Sequence, residues 1–149
     1  MQFIDRTKIT IREANPEDYV QIHSICENDL GYSCNRELVR KRLITLDKDR
    51  ECVFVAILND RVAGFIHVEK YEVLYCEPMT NILGLAVKKE FRRHGAGREL
   101  LNAAEIWAKD RGITMVRLNS GKTRTEAHEF YRNIGYGNEK EQLRFIKKL

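Results

Sequence analysis

The sequence has only two prolines, Pro16 and Pro78, and no stretch rich in serine and glycine. Nothing in it reads as a linker, a repeat or a low-complexity tract, so its 149 residues are expected to form one domain over 1–149. A chain of this size can bury about two thirds of its unfolded surface. No apolar run approaches the ~20 residues of a membrane span. The opening Met1-Gln2-Phe3-Ile4-Asp5-Arg6 lacks the apolar stretch of a secretory signal. The cysteines Cys26, Cys34, Cys52 and Cys76 form no CxxC pair, and the four histidines are just as scattered. That scatter excludes a zinc site and points to reduced, mostly packing thiols in a cytoplasmic protein. The net charge of +4 is mild. It suits an anionic ligand and falls short of the dense basic face of a nucleic-acid binder.

What the chain does have is an ordinary globular balance, 43% apolar and 32% charged residues. Alternation over 8–12 predicts a first strand. Asn15-Pro16 then starts a helix whose inward stripe is Tyr19, Ile22, His23, Ile25 and Cys26. Helical spacing of Leu38, Val39, Arg42, Leu43 and Leu46 predicts a second helix over 35–46. Apolar, β-branched runs at 52–58 and 62–68 flank the turn signal Asn59-Asp60 and read as a hairpin, its second strand running on before a loop at Glu77-Pro78. A near-continuous apolar strand covers 81–87. A helix over 99–109 stops at Gly112, and a strand covers 113–118. Thr123-Arg124-Thr125-Glu126 has the capping-box pattern and opens a helix to Asn133, ended by Gly135; Leu143, Phe145 and Leu149 alternate as a closing strand. The order predicts an α/β (α+β) sheet protein of mixed strand direction.

The chemistry concentrates in Arg92-Arg93-His94-Gly95-Ala96-Gly97-Arg98, between the apolar strand and the following helix. A basic, glycine-spaced turn at a helix start offers unpaired amides and the positive end of the dipole to one anion. The plain alternative is a tight turn with solvated arginines. A P-loop needs GxxxxGK[ST], which is absent, and the dinucleotide fingerprint needs a glycine where Leu100 stands. Near the C-terminus lies Ala127-His128-Glu129-Phe130-Tyr131-Arg132-Asn133-Ile134-Gly135-Tyr136. Together these resemble the GNAT superfamily of acyl-CoA-dependent N-acetyltransferases. Its pattern is [QR]-x-x-G-x-[GA] at a helix start, then a strand, then a helix with A-x-x-[FL]-Y-x-x-x-G-[FY]. Arg92-x-x-Gly95-x-Gly97 meets the first part, and residues 127–136 meet the second at every position.

The resemblance implies a GNAT fold: a mixed, mostly antiparallel sheet of about six to seven strands, about four helices, and a splayed parallel strand pair. It implies that acetyl-CoA lays its pyrophosphate on the amides of 93–98, with Arg92, Arg93 and Arg98 adding charge beside His94, Gly95, Ala96 and Gly97. The pantetheine arm is expected to pair with Leu85, Ala86 and Val87, near Asn119. Arg124, Ala127, Phe130 and Tyr131 complete the cofactor side. An amide near Val87 polarises the carbonyl, and Tyr131 protonates the departing thiolate. Two positions depart from the family. Arg124 stands where many members have asparagine, and Asn81 stands where several have a base glutamate. No carboxylate carries over, so deprotonation through water is expected, with Glu72, Glu77 and His67 as candidate bases. Phe130 is expected in the core.

The acceptor pocket implied by the family involves 27–36 and 69–79. There Tyr32, Tyr71, Tyr75, Glu27, Asp29, Glu72 and Glu77 suit a cationic amine of a small molecule or peptide. Many members dimerise through the C-terminus, so a homodimer through 142–149 is a further expectation. The competing reading is a non-catalytic acyl-CoA sensor of the same fold, which Asn81 favours. A nucleic-acid binder using the arginine cluster is disfavoured, because CoA phosphates explain those charges better. No membrane partner is expected.

Overall fold

Alternating, β-branched runs in this chain need neighbouring strands to satisfy their main-chain groups, and the first four strands find them in each other. The computed structural model describes residues 8–149; the opening residues read for a secretory signal lie outside that range. It comprises two compact units, Met1–Leu118 and Asn119–Leu149.

The first unit is built on a five-stranded sheet in the order β1 (Thr10–Glu13), β2 (Glu51–Leu58), β3 (Arg61–Tyr71), β4 (Met79–Val87), β5 (Val116–Leu118). β1 to β4 pair antiparallel, and β5 lies parallel to β4. The β2–β3 hairpin turns on Asn59 and Asp60, both in the left-handed region at φ 52° and 58°. A two-residue turn matching strand twist requires that conformation, which Asn and Asp tolerate best after glycine.

Helices α1 (Tyr19–Asn28) and α2 (Arg36–Ile44) join β1 to β2. Their apolar sides, led by Ile22 and Ile25, pack on Val53, Val55, Phe65 and Ala86. Alternation turns Ile66, Val68 and Ile82 to the opposite face. There α3 (Ala96–Asp110) packs against β2, β3 and β4 and buries Leu100, Leu101, Ala104, Trp107 and Ala108. Asn35, the first residue of the helix expected over 35–46, is instead its N-cap, its Oδ1 accepting the Glu37 amide at 2.7 Å.

Two bulges bend the ladder. Ala56 pairs with Gly64 and Ile57 with Val62, so Ala63 is the extra residue; Gln21 Oε1 of α1 accepts the Val62 amide at 3.0 Å. His67 pairs with Gly84 and Val68 with Ile82, leaving Leu83 of β4 unpaired in register. Beside the Ala63 bulge β3 presses on β4: a Cβ on Gly64 would fall 2.7 Å from the Ala86 carbonyl oxygen.

In the second unit, α4 (Thr125–Asn133) ends at Gly135 in the left-handed conformation, φ 98°. The capping box read at 123–126 does not form; Arg124 occupies the N-cap and no side chain caps it. The loop before α4 is closed instead by His128 Nε2, which donates to the Gly121 carbonyl at 2.9 Å. Residues 134–149 contain no strand. The alternation of Leu143, Phe145 and Leu149 supplies a pattern but no partner ladder, and all three side chains are exposed. Among the described residues the sheet therefore has five strands, short of the six to seven expected.

The packing makes two predictions. Gly64→Ala forces β3 away from β4 and should cost about 1–3 kcal/mol, read as a lowered thermal midpoint. Asp18 is 5% exposed and is held by both Nη atoms of Arg12 at 2.7 and 2.9 Å and by the Asn15 amide at 2.9 Å. Burial alone would raise its pKa, but these donors outweigh it and the carboxyl lies below its ordinary 3.8. Its contribution is therefore complete above about pH 4 and is lost as pH falls through the depressed value. Asp18→Asn should destabilise by about 2 kcal/mol at neutral pH and flatten acid unfolding, measured by denaturant titration at pH 7 and pH 3.

Candidate active site

The site starts where β4 loses one of its neighbours. The Lys88 amide donates to the Ala63 carbonyl at 2.7 Å. Antiparallel alternation then directs the main-chain groups of Ala86 and Gly84 to β3, and those of Val87 and Leu85 to the other edge. On that edge β5 pairs only with Thr80, Asn81 and Ile82. The β4–β5 ladder ends at the Ile82–Leu118 pair, and among the described residues of this unit no strand pairs with Leu85 or Val87 on that edge.

The chain then turns through a single 3-10 turn, Lys89–Phe91, anchored by buried Phe91 beneath the Arg61 guanidinium, 5.0 Å from the ring centroid. Asp29, at the end of α1, accepts the Lys89 amide at 3.0 Å and Arg92 Nη2 at 3.3 Å, while Arg92 Nε donates to the Val87 carbonyl at 3.0 Å. Arg92 is thus folded back as a clamp. Arg93 and Gly95 take positive φ, 65° and 92°, which tips successive amides toward a common concavity. The Glu99 amide reaches the Gly95 carbonyl at 3.0 Å as α3 begins. Among the described residues no protein acceptor takes the amides of 93–98. These amides meet the start of a 15-residue helix. His94 Nδ1 is enclosed and unpartnered in the same turn, and Arg93 and Arg98 are exposed beside it. Free amides, positive dipole and exposed cations together make an anion seat.

On the α1–α2 face, cross-strand pairing sets Glu69 beside Asn81, and Asn81 beside Arg117. Arg117 Nη1 donates to Asn81 Oδ1 at 2.7 Å, and Asn81 Nδ2 donates to Glu69 Oε2 at 3.1 Å. The Arg117 guanidinium also lies over the Tyr71 ring, 4.6 Å from its centroid. Nearby, His67 Nε2 donates to Glu51 Oε1 at 2.7 Å. Burial works to raise the Glu51 pKa, and the contacts from His67, Arg42 and the Asp47 main chain outweigh it and lower it.

The residues read for the acceptor are spread out. Tyr71 lies in the Asn81 network, whereas Glu72 pairs with Arg50 at 3.1 Å and lines, with Glu77, a cleft of about 220 Å³ at the C-terminal end of α3. Tyr32 and Tyr75 are exposed. Asp29 is committed to Lys89 and Arg92. In the second unit Ala127 and Tyr131 are half-buried on one side of α4, and Asn119 and Arg124 are exposed. Phe130 is half-buried rather than core, its ring centroid 5.4 Å from that of Tyr131; Tyr136 meets Tyr131 edge-on at 6.0 Å. Burial raises the Tyr131 phenol pKa and Arg124 only partly opposes it. Sequence reasoning missed Glu69 and the Arg92–Asp29 clamp, since both are pairs set by strand register or long-range packing; a chain scan for carboxylates opposite Asn81 in the hairpin register is the signal that finds Glu69.

The first unit thus joins an antiparallel meander carrying one short parallel strand to a helix whose leading amides have no acceptor among the described residues. The chain belongs to the acetyltransferase (GNAT) family, whose model matches residues 10–136. It is 32% identical over 116 residues to an uncharacterized N-acetyltransferase of Methanocaldococcus jannaschii, covering 70% of this chain and 48% of that one, so it spans about half of that relative's length. It is 28% identical over 144 residues to the aminoalkylphosphonate N-acetyltransferase of Salmonella typhimurium, covering 93% and 90% of the two chains. An aminoglycoside acetyltransferase from an uncultured soil metagenomic sample, solved with trehalose, superposes with a TM-score of 0.78 at 24% identity over 96% of this chain and 97% of that one, a likeness of fold. Among the described residues no helix is long and apolar enough to cross a membrane.

The raised phenol makes a direct prediction. In a spectrophotometric titration, the phenolate absorbance lost in Tyr131→Phe should develop above pH 10, the ordinary midpoint. A lost signal centred below 10 contradicts the burial of this ring.

Proposed function

We propose that this chain transfers an acetyl group from acetyl-CoA to a primary amine of a small molecule or peptide by direct attack. The observation that carries the reading is the run of unpartnered amides at 93–98 leading into α3. When bound, acetyl-CoA supplies the activated acetyl thioester. The amides of 93–98, with Arg93 and Arg98, hold its pyrophosphate; Arg92 keeps the turn in place through Asp29 and Val87. The edge at Leu85 and Val87 offers the Leu85 main-chain groups and the Val87 amide to an extended arm, and the Val87 amide polarises the acetyl carbonyl. Tyr131, assigned by its place in the motif, holds a proton at its phenol oxygen near neutral pH, which suits a donor to the leaving sulfur.

Two of the thiols, Cys26 and Cys52, are poor acyl carriers. Burial pushes Cys26 up to about 11 and Cys52 up to about 12, so neither is a thiolate ready to carry an acyl group. The acceptor is an amine, and the names of the Salmonella relative and of the metagenomic enzyme make aminoalkylphosphonates and aminoglycosides the first candidates to test.

Incubation with acetyl-CoA and a panel of aminoalkylphosphonates, aminoglycosides, polyamines and lysine peptides should release free thiol with at least one amine. Tyr131→Phe should lower kcat by about 100-fold, with CoA affinity by calorimetry unchanged. Binding of CoA without thiol release from any amine supports the sensor reading instead.

A further inference from the structure

We infer that Glu69 is the carboxylate that accepts the acceptor's proton, through water or Asn81-bound solvent, from one strand away. This rests on the transferase reading above. The family resemblance places a base glutamate at the position of Asn81, and in this chain that position is an amide that cannot accept a proton at neutral pH. The fold supplies the missing charge from β3. Glu69 and Asn81 are direct cross-strand partners on the α1–α2 face, where paired Cβ atoms stand about 5 Å apart.

The Asn81 amide is locked. Arg117 Nη1 donates to its Oδ1 at 2.7 Å, so its Nδ2 must face Glu69, and it donates to Glu69 Oε2 at 3.1 Å. The arginine, amide and carboxylate are all half-buried, and the amide links the guanidinium to the carboxylate in one hydrogen-bonded chain. Glu69 Oε1 accepts nothing from the described residues. The trio sits one pairing position before β4 and β5 part at Ile82–Leu118, next to the Leu83 bulge. Of the other candidates, Glu72 pairs with Arg50 and His67 with Glu51, while Glu77 lines the cleft at the C-terminal end of α3.

The step balances without a further reagent. The acceptor ammonium gives one proton, directly or through one water, to the Glu69 carboxylate. The freed nitrogen lone pair forms the N–C bond to the acetyl carbon as the C–S bond breaks and its electron pair leaves on sulfur. That sulfur takes the proton of the donor, the second proton of the nitrogen passes through water to the deprotonated donor as the amide forms, and Glu69 returns its proton to solvent.

The test uses the full chain, acetyl-CoA and the amine panel. Glu69→Gln keeps a hydrogen-bond acceptor for Asn81 and removes only the basic oxygen. It should lower kcat/KM for the amine about 100-fold, leaving CoA affinity by calorimetry and the thermal midpoint as in wild type. Moving the carboxylate back, in the double variant Glu69→Gln/Asn81→Glu, should restore kcat/KM to within about tenfold of wild type. An active wild type whose Glu69→Gln variant keeps its kcat/KM overturns the assignment and leaves the transferase reading standing. Loss of CoA affinity or of thermal stability in Glu69→Gln, with no rescue by the double variant, shows a structural role and also overturns it. A wild type that releases no thiol with any amine overturns the transferase reading and this assignment with it.

Discussion

The parting of β4 from β5 is the constraint on which the rest of the first unit depends. A strand inside a sheet must place its amides and carbonyls on partners, because a buried main-chain group left alone costs as much as a lost hydrogen bond. β5 contributes three residues and stops. The bulge at Leu83 lies just past the last β4–β5 pair, and beyond that point β4 is the margin of the sheet among the described residues. An edge of this kind is where an extended, strand-like segment can pair.

Around this edge the fold sorts its charges into committed and free. Asp29 fixes Arg92 and the start of the 3-10 turn, so the arginine that opens the glycine motif serves the turn's own geometry. Arg93 and Arg98 have no such tie and face outward. The same division runs across the sheet face. Glu51 is surrounded by His67 and Arg42, while Glu69 has one amide contact and one free oxygen. A carboxylate with spare acceptor capacity in a half-buried place can take a proton; one already saturated with donors does little beyond holding its neighbours.

Much of the fold was legible because the deciding chemistry is local. Asn59-Asp60 names a turn with two left-handed residues and Gly135 names a stop, each through its own backbone preferences. The glycine turn was legible for the same reason: anion seats are made from consecutive amides, and consecutive amides are consecutive in sequence. Where local signals misled, a non-local partner was missing. Thr123 to Glu126 has the letters of a capping box, but Arg124 takes the cap. The C-terminal alternation has the period of a strand, and no strand lies beside it among the described residues. Phe130, expected as core, is only half-covered, since period tells which way a side chain points and not what meets it.

The sequence by itself determined the order of elements, the basic glycine turn at the head of α3 and the family to which the chain belongs. These rest on spacings of a few residues, where backbone stereochemistry acts directly. Tertiary structure alone decided that Arg92 turns inward to Asp29, that β5 releases β4 after Ile82, and that Glu69 faces Asn81. Each joins residues brought together by register or packing, and register is fixed only when the sheet's buried face is filled.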